Sequence, residues 1–235
     1  NHENFAPRAQ KIMVDIDETE INKMKMPLAT KIVADVKTVL IELVKEEYSI
    51  ATATRSEWLK YCQKMKEKYP VVLPEYYQEQ EYINTYVFIE ELCKQLDEND
   101  VIVPESSGGA GEITYQALKV KKGQKIKNAA GLGSMGFGLP YALGACIAND
   151  KRRTILINGD GAFQLNIQEL ATIAQQNLPI KIFIWNNSGY ASIMGTQRNF
   201  FEGNYVASNN ESKLYLPDIV AVAKAYGLKT FKLDV

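Results

Sequence analysis

Apolar residues fall along this chain in two alternating patterns, and the alternation predicts the architecture. Short, nearly unbroken apolar runs at 101–104, 154–158 and 180–185, and the mixed run 230–233, predict strands. Between them, residues 85–96, a stretch from about 137, and residues 167–176 and 219–226 predict helices, the last ended by Gly227. Strands alternating with helices predict an α/β fold, a parallel sheet with helices on both faces. Asn166 and Glu169 have the spacing of a capping box, which predicts a helix start at Ile167.

Earlier in the chain the pattern changes. Residues 11–17 predict a strand, and Val36, Val39, Leu40, Leu43 and Val44 predict a helix over 35–47. A lone strand needs sheet partners, and none is evident, so residues 1–50 are expected to be the tail end of a central domain. Residues 51–80 turn polar and aromatic, with a helix capped by Ser56 and a loop at Pro70 and Pro74, and are read as a linker. Residues 81–235 then form the main domain, expected to be truncated because the chain reaches Val235 in or just after a strand.

Composition and charge narrow the function. With 235 residues, 46% hydrophobic and 23% charged, the chain can bury an ordinary core. Lys and Arg total 27 against 28 for Asp and Glu, so there is no basic field to attract nucleic acid, and a small anion would need a local site. The run Lys121, Lys122, Lys125 and Lys127 lacks interleaved aromatics and reads as a solvated loop. Cys62, Cys93 and Cys146 form no pairing motif and His2 is the sole histidine, which argues against a disulfide framework or a zinc site. No apolar run is long enough to span a bilayer and residues 1–10 have no signal-peptide core, so a soluble, cytoplasmic protein is expected.

The chemistry concentrates in one segment. Residues 155–158 run into Gly159-Asp160-Gly161, so a carboxylate ends a buried strand at the place where ligands gather in open α/β sheets. The flanking glycines let a ligand approach the backbone. The next strand ends in Asn186-Asn187, which sets Asp160 and Asn187 across adjacent strand ends. Mg²⁺ prefers oxygen ligands and usually keeps substrate phosphates and water in its shell. The Asp160 carboxylate, the Asn187 amide oxygen and the Gly189 main-chain carbonyl form such a set, with room for a diphosphate.

This constellation resembles the signature of thiamine-diphosphate enzymes of the acetolactate synthase and 2-keto acid decarboxylase superfamily, in their C-terminal pyrophosphate-binding domain. Residues 128–144 are similar to the loop and helix that precede the signature, 4–20 to the last strand of the family's middle domain, and 83–103 to the start of its third. The resemblance implies a pyrimidine contact at the Gly133 carbonyl, with Ser134 beside it and Met135 wedged beneath the cofactor. It implies diphosphate contacts at Gly159, Asp160, Gly161, Ala162 and Asn187, and, from the Gly/Ser loop, at Ser107, Gly108 and Gly109. Thiamine diphosphate and Mg²⁺ are the implied cofactors, and FAD is left open for the parent protein. The implied activity is decarboxylation of a 2-keto acid with transfer or protonation of the resulting carbanion, as in an acetolactate-synthase-like lyase or transferase. The activating glutamate of the family lies in its first domain and comes from a neighbouring subunit. These residues are therefore expected to hold but not activate the cofactor, within a homo-oligomer.

Alternatives follow from the same residues. Gly131, Gly133 and Gly136 fit the dinucleotide-binding spacing, but residues 123–128 are short and polar where that motif needs a hydrophobic strand. A simple decarboxylase, another carboligase, or a non-catalytic module using the same cleft are the other readings. Acetolactate synthases usually carry a glutamine-tryptophan pair after the paired asparagines, where this chain reads Gly195-Thr196-Gln197. Tyr190, Ser192, Gln197 and Arg198 either line a substrate channel or belong to a mobile surface loop.

Overall fold

A computed structural model describes residues 4–46 and 55–233. Residue 47 of the predicted helix, residues 51–54 of the predicted linker, and His2 and Val235 lie outside the described residues. The chain divides into two compact units, Asn1–Glu67 and Lys68–Val235.

In the first unit, β1 (Ile12–Asp15) leads through α1 (Glu18–Asn22) to β2 (Thr30–Val33), and the strands pair in parallel with Ile12 opposite Thr30. The predicted strand thus has a partner that the pattern missed, because Thr-Lys-Ile-Val offers only two apolar positions. Asp17 caps α1 by accepting from the Thr19 N–H at 2.8 Å, and Asp35 caps α2 (Val36–Lys45) by accepting from the Lys37 N–H at 2.7 Å. Ser56 is the first residue of α3 (Ser56–Lys68) rather than a residue outside it.

The second unit opens with a 3₁₀ turn, Pro74–Gln78, and α4 (Thr85–Gln95). Its sheet is parallel throughout, in the order β4 (Lys125–Ile126), β3 (Val101–Pro104), β5 (Thr154–Gly159) and β6 (Ile180–Trp185). Successive side chains of a strand point to opposite faces, and both faces here are covered. Val101, Val103 and Leu156 join Leu139 and Cys146 of α6 (Gly138–Ala148) and Leu170 and Ile173 of α8 (Glu169–Gln175). Ile102, Ile155 and Ile157 join Ile89 and Leu92 of α4 and Ala110 and Ala117 of α5 (Gly109–Ala117) on the other face. The α/β class with helices on both faces is the observed one.

Several local expectations change. The capping box at Asn166 does not form: Asn166 donates its side-chain amide to the Gly136 carbonyl at 2.8 Å, and α8 begins two residues later than predicted, at Glu169. The Asn166 Oδ1 that would have capped the helix instead accepts from the Gln168 side-chain amide at 3.2 Å. Residues 230–233 are not a strand, since no described strand pairs with them. Lys125 and Ile126, within the short polar stretch 123–128, form the short edge strand β4 beside Val101 and Ile102. In the second unit three α-helices are additions among the described residues: α5, α7 (Asp160–Gln164) and α9 (Ala191–Phe200), the last in place of the suggested surface loop, as α1 is in the first. The predicted last helix is α10 (Ile219–Ala225), and Gly227 ends its turn with a φ of 79°. Among the described residues no helix is long and apolar enough to cross a membrane.

Candidate functional site

The site is built at the carboxyl ends of β3, β5 and β6. Strand β5 passes directly into α7, with Gly159 as the cap, so Asp160 is the first helical residue. Its carboxylate is 2% exposed and accepts backbone N–H groups from Gly161 at 2.7 Å, Asn187 at 3.1 Å and Gly189 at 3.2 Å. The last two come from the loop that follows β6, so one carboxylate joins two adjacent strand ends. Burial pushes the Asp160 pKa up, and the backbone donors of Gly161, Gly189, Ser188 and Asn187 oppose it.

The loop after β6 turns sharply. Ser188 has a φ of 59°, and the Asn186 side chain accepts from its N–H at 3.1 Å, which holds the turn. Asn187 is exposed and Gly189 is buried. A methyl on Gly189 would overlap the Ser208 carbonyl, so only glycine fits there.

Two further loops close on the same place. Gly133 has a φ of 62°, and a methyl on it would lie 3.8 Å from the Ser106 carbonyl and 4.0 Å from the Ser107 side chain. The Gly133 loop therefore runs beside the Gly/Ser loop. A methyl on Gly161 would overlap the Tyr190 ring and come within 3.2 Å of the Met135 terminal carbon. Met135 and Tyr190 thus share the space above α7. Gly108 has a φ of 71° and begins α5 without a side-chain cap, and Ser192 Oγ lies 3.2 Å from where its methyl would be.

The predicted residues Ser107, Gly108, Gly133, Met135, Asp160, Gly161, Asn187 and Gly189 therefore stand on four neighbouring loops at one end of the sheet. Gly109 is the first residue of α5, Ala162 is buried within α7, and Ser134 is exposed in the Gly133 turn. The Gln197 amide is held by Ser208 and the Val206 carbonyl. Two participants escaped the sequence reading, Glu105 behind the Gly133 loop and Ser208 behind Gly189. Neither stands in a pattern; only the glycines that they crowd, Gly138 and Gly189, hint at them.

Residues 107–235 match the family described as thiamine pyrophosphate enzyme, C-terminal TPP binding domain. The chain belongs to this family. Thiamine pyrophosphate is thiamine diphosphate by another name. Among curated relatives, the chain is similar to the acetolactate synthase large subunit of Cyanidium caldarium, 38% identical over 98% of this chain and 39% of the relative. It is also similar to acetolactate synthase isozyme 1 large subunit of Escherichia coli K12, 32% identical over 99% of this chain and 39% of the relative. Acetolactate synthase 2, chloroplastic, of Zea mays is 33% identical over 98% of this chain and 36% of the relative. The chain thus spans about two fifths of the length of these relatives.

The cleft suits the family's cofactor. The amino end of α5, uncapped by any side chain, offers backbone N–H groups to a phosphate. Asp160 supplies a buried carboxylate, with the exposed Asn187 beside it. Among the described residues no three His, Cys, Asp or Glu side chains gather into a metal-binding group. A Mg²⁺ site here would draw on amide and carbonyl oxygens and on the ligand's own phosphates.

Proposed function

We propose that the chain is the cofactor-holding part of a Mg²⁺-dependent, acetolactate-synthase-like enzyme that removes CO₂ from a 2-keto acid. The product fragment is then joined to a second carbonyl compound or protonated. When bound, the thiazolium supplies an electron sink for decarboxylation. The chain's own residues bind and orient. Asp160, Asn187 and the Gly189 carbonyl hold Mg²⁺, and Ser107, Gly108 and Gly109 with Gly159, Gly161 and Ala162 receive the diphosphate. The Gly133 carbonyl and Ser134 meet the pyrimidine, and Met135 supports the cofactor from below.

The observation that carries this reading is the junction at Asp160, whose carboxylate accepts N–H groups from both Asn187 and Gly189 and so ties together the two loops that carry the proposed ligands. The names of the curated relatives favour carboligation over simple decarboxylation. The activating glutamate, any flavin site and the oligomer interface would belong to parts of the parent protein that resemble the family's other domains. A homo-oligomer and a cytoplasmic location complete the proposal.

The direct test is thermal unfolding of the full-length protein with thiamine diphosphate plus Mg²⁺, with each alone, and with NAD plus Mg²⁺. A ligand at 100 times its Kd stabilises the fold by about 2.7 kcal/mol. A rise in Tm that requires thiamine diphosphate and Mg²⁺ together is expected. A shift with NAD, or none with the pair, would refute the reading.

A further inference from the structure

The segment that backs the cation loop is held by a buried side-chain clasp. Ser208 is 0% exposed. Its hydroxyl donates to Gln197 Oε1 at 2.6 Å, and Gln197 Nε2 donates to the Val206 carbonyl at 3.1 Å. A single amide on α9 thus grips the segment before and at Ser208. The same segment is stiffened from the other side, where Ser212 Oγ accepts from the Ser208 N–H at 2.9 Å and the Asn209 N–H at 3.0 Å.

What this segment touches is the loop of the candidate cation ligands. The Ser208 carbonyl accepts from the Tyr190 N–H at 2.9 Å, Gly189 and Asn209 pair as an antiparallel bridge, and the Ser208 carbonyl packs on the Gly189 α-carbon. On its other flank the Gly189 N–H reaches Asp160 Oδ2 at 3.2 Å. Gly189 is therefore fixed between the carboxylate in front and Ser208 behind. Displacing Ser208 would change the direction of its carbonyl.

We infer that Gln197 and Ser208 are positioning residues for the cation site, acting through Gly189 rather than on substrate. The inference rests on the Mg²⁺ reading of Asp160, Asn187 and Gly189. Groups that orient the ligands of a metal typically govern about 10- to 100-fold in metal affinity. The two side chains meet in one hydrogen bond, so their effects should not add.

The experiment is calorimetric titration of Mg²⁺ into the full-length protein at saturating thiamine diphosphate, for wild type, Gln197→Ala, Ser208→Ala and the double variant. Thermal unfolding without Mg²⁺ is recorded alongside. Each single variant should raise the Mg²⁺ Kd about tenfold or more, and the double variant should be no worse than the weaker single. Variants that bind Mg²⁺ as tightly as wild type, while their Tm without Mg²⁺ falls, would overturn the inference and leave the clasp a packing feature. Fully additive losses would overturn it too. Absence of Mg²⁺ binding by wild type would instead sink the functional reading beneath it. Should Ser208→Ala fail to fold, Gln197→Ala, on the half-buried side of an exposed helix, decides between these outcomes.

Discussion

Glu105 stands one residue past β3, 1% exposed, and its placement is unusual for a carboxylate. Its Oε2 accepts from the Gly138 N–H at 3.1 Å, while Oε1 is buried without a partner. It does for α6 what Phe137, at the cap position, cannot do with its side chain. A methyl on Gly138 would overlap the carboxyl group, which accounts for glycine there. Burial raises the Glu105 pKa, against the smaller opposing pull of the Ser106, Gly138, Gly136 and Phe137 N–H groups. A carboxyl whose folded pKa lies above its unfolded value binds its proton more tightly when folded. The stability it confers is complete below the unfolded pKa and is lost as pH rises through the folded one. Glu105→Gln keeps the shape and the acceptor for Gly138 but cannot ionise. Urea unfolding across pH should therefore show wild type losing stability relative to Glu105→Gln as pH climbs above the ordinary glutamate range. Parallel curves would mean that Glu105 ionises in the fold as freely as in the unfolded chain.

At the level of elements, the sheet of the second unit was legible and the pieces that finish the site were not. Ile155, Leu156 and Ile157, or Ile180 and Ile182 to Trp185, announce strands because both faces are covered and the run has no polar break beyond Lys181. Asp160 and Asn187 could be set at adjacent strand ends from spacing alone. Helix α7 was invisible because Asp-Gly-Ala carries a weak helix former in its first turn. Helix α9 was hidden because Ala-Ser-Ile-Met-Gly-Thr shows no apolar stripe, and none of its residues is fully buried. The Asn166 cap does not form because its amide nitrogen is turned to the distant Gly136 carbonyl, with Oδ1 accepting from the Gln168 side chain rather than from a helix N–H. The opposite, amino ends of the strands carry an element-level prediction. Arg153 donates Nε to Asp100 Oδ1 and Nη2 to Oδ2, both at 2.6 Å, and reaches the Gln95 carbonyl at 3.3 Å, tying β5 and β3 to the end of α4. Breaking a fully buried pair costs about 3–5 kcal/mol. The Asp100 side chain is 3% exposed but that of Arg153 is 37% exposed, so Arg153→Ala is expected to cost about 2 kcal/mol. Urea unfolding measures it, and cofactor affinity should not move, because the cleft lies at the other end of the strands. A loss within about 0.5 kcal/mol would class the pair with ordinary surface positions.

For the whole molecule, the family is settled by the match over residues 107–235, whereas the reaction stays a proposal, since the chain spans about two fifths of the length of the curated relatives it matches. One feature within the chain bears on the outcome. Where acetolactate synthases usually carry a glutamine-tryptophan pair, this chain reads Gly195-Thr196-Gln197, and Thr196 turns its hydroxyl back to the Ser192 carbonyl at 3.1 Å along α9. A small, internally satisfied side chain leaves that part of the helix without the bulk of an aromatic ring. Carboligation itself requires a bound cofactor and a second carbonyl compound, not that ring, so it should persist. With thiamine diphosphate, Mg²⁺ and pyruvate, the full-length protein is expected to release CO₂ and to form a two-molecule condensation product, measured together by gas evolution and product chromatography. Aldehyde equal to the CO₂ released would instead make it a simple decarboxylase. Cofactor binding with no CO₂ from pyruvate or longer 2-keto acids would move it to the non-catalytic class, in which the same cleft holds a ligand without turning substrate over.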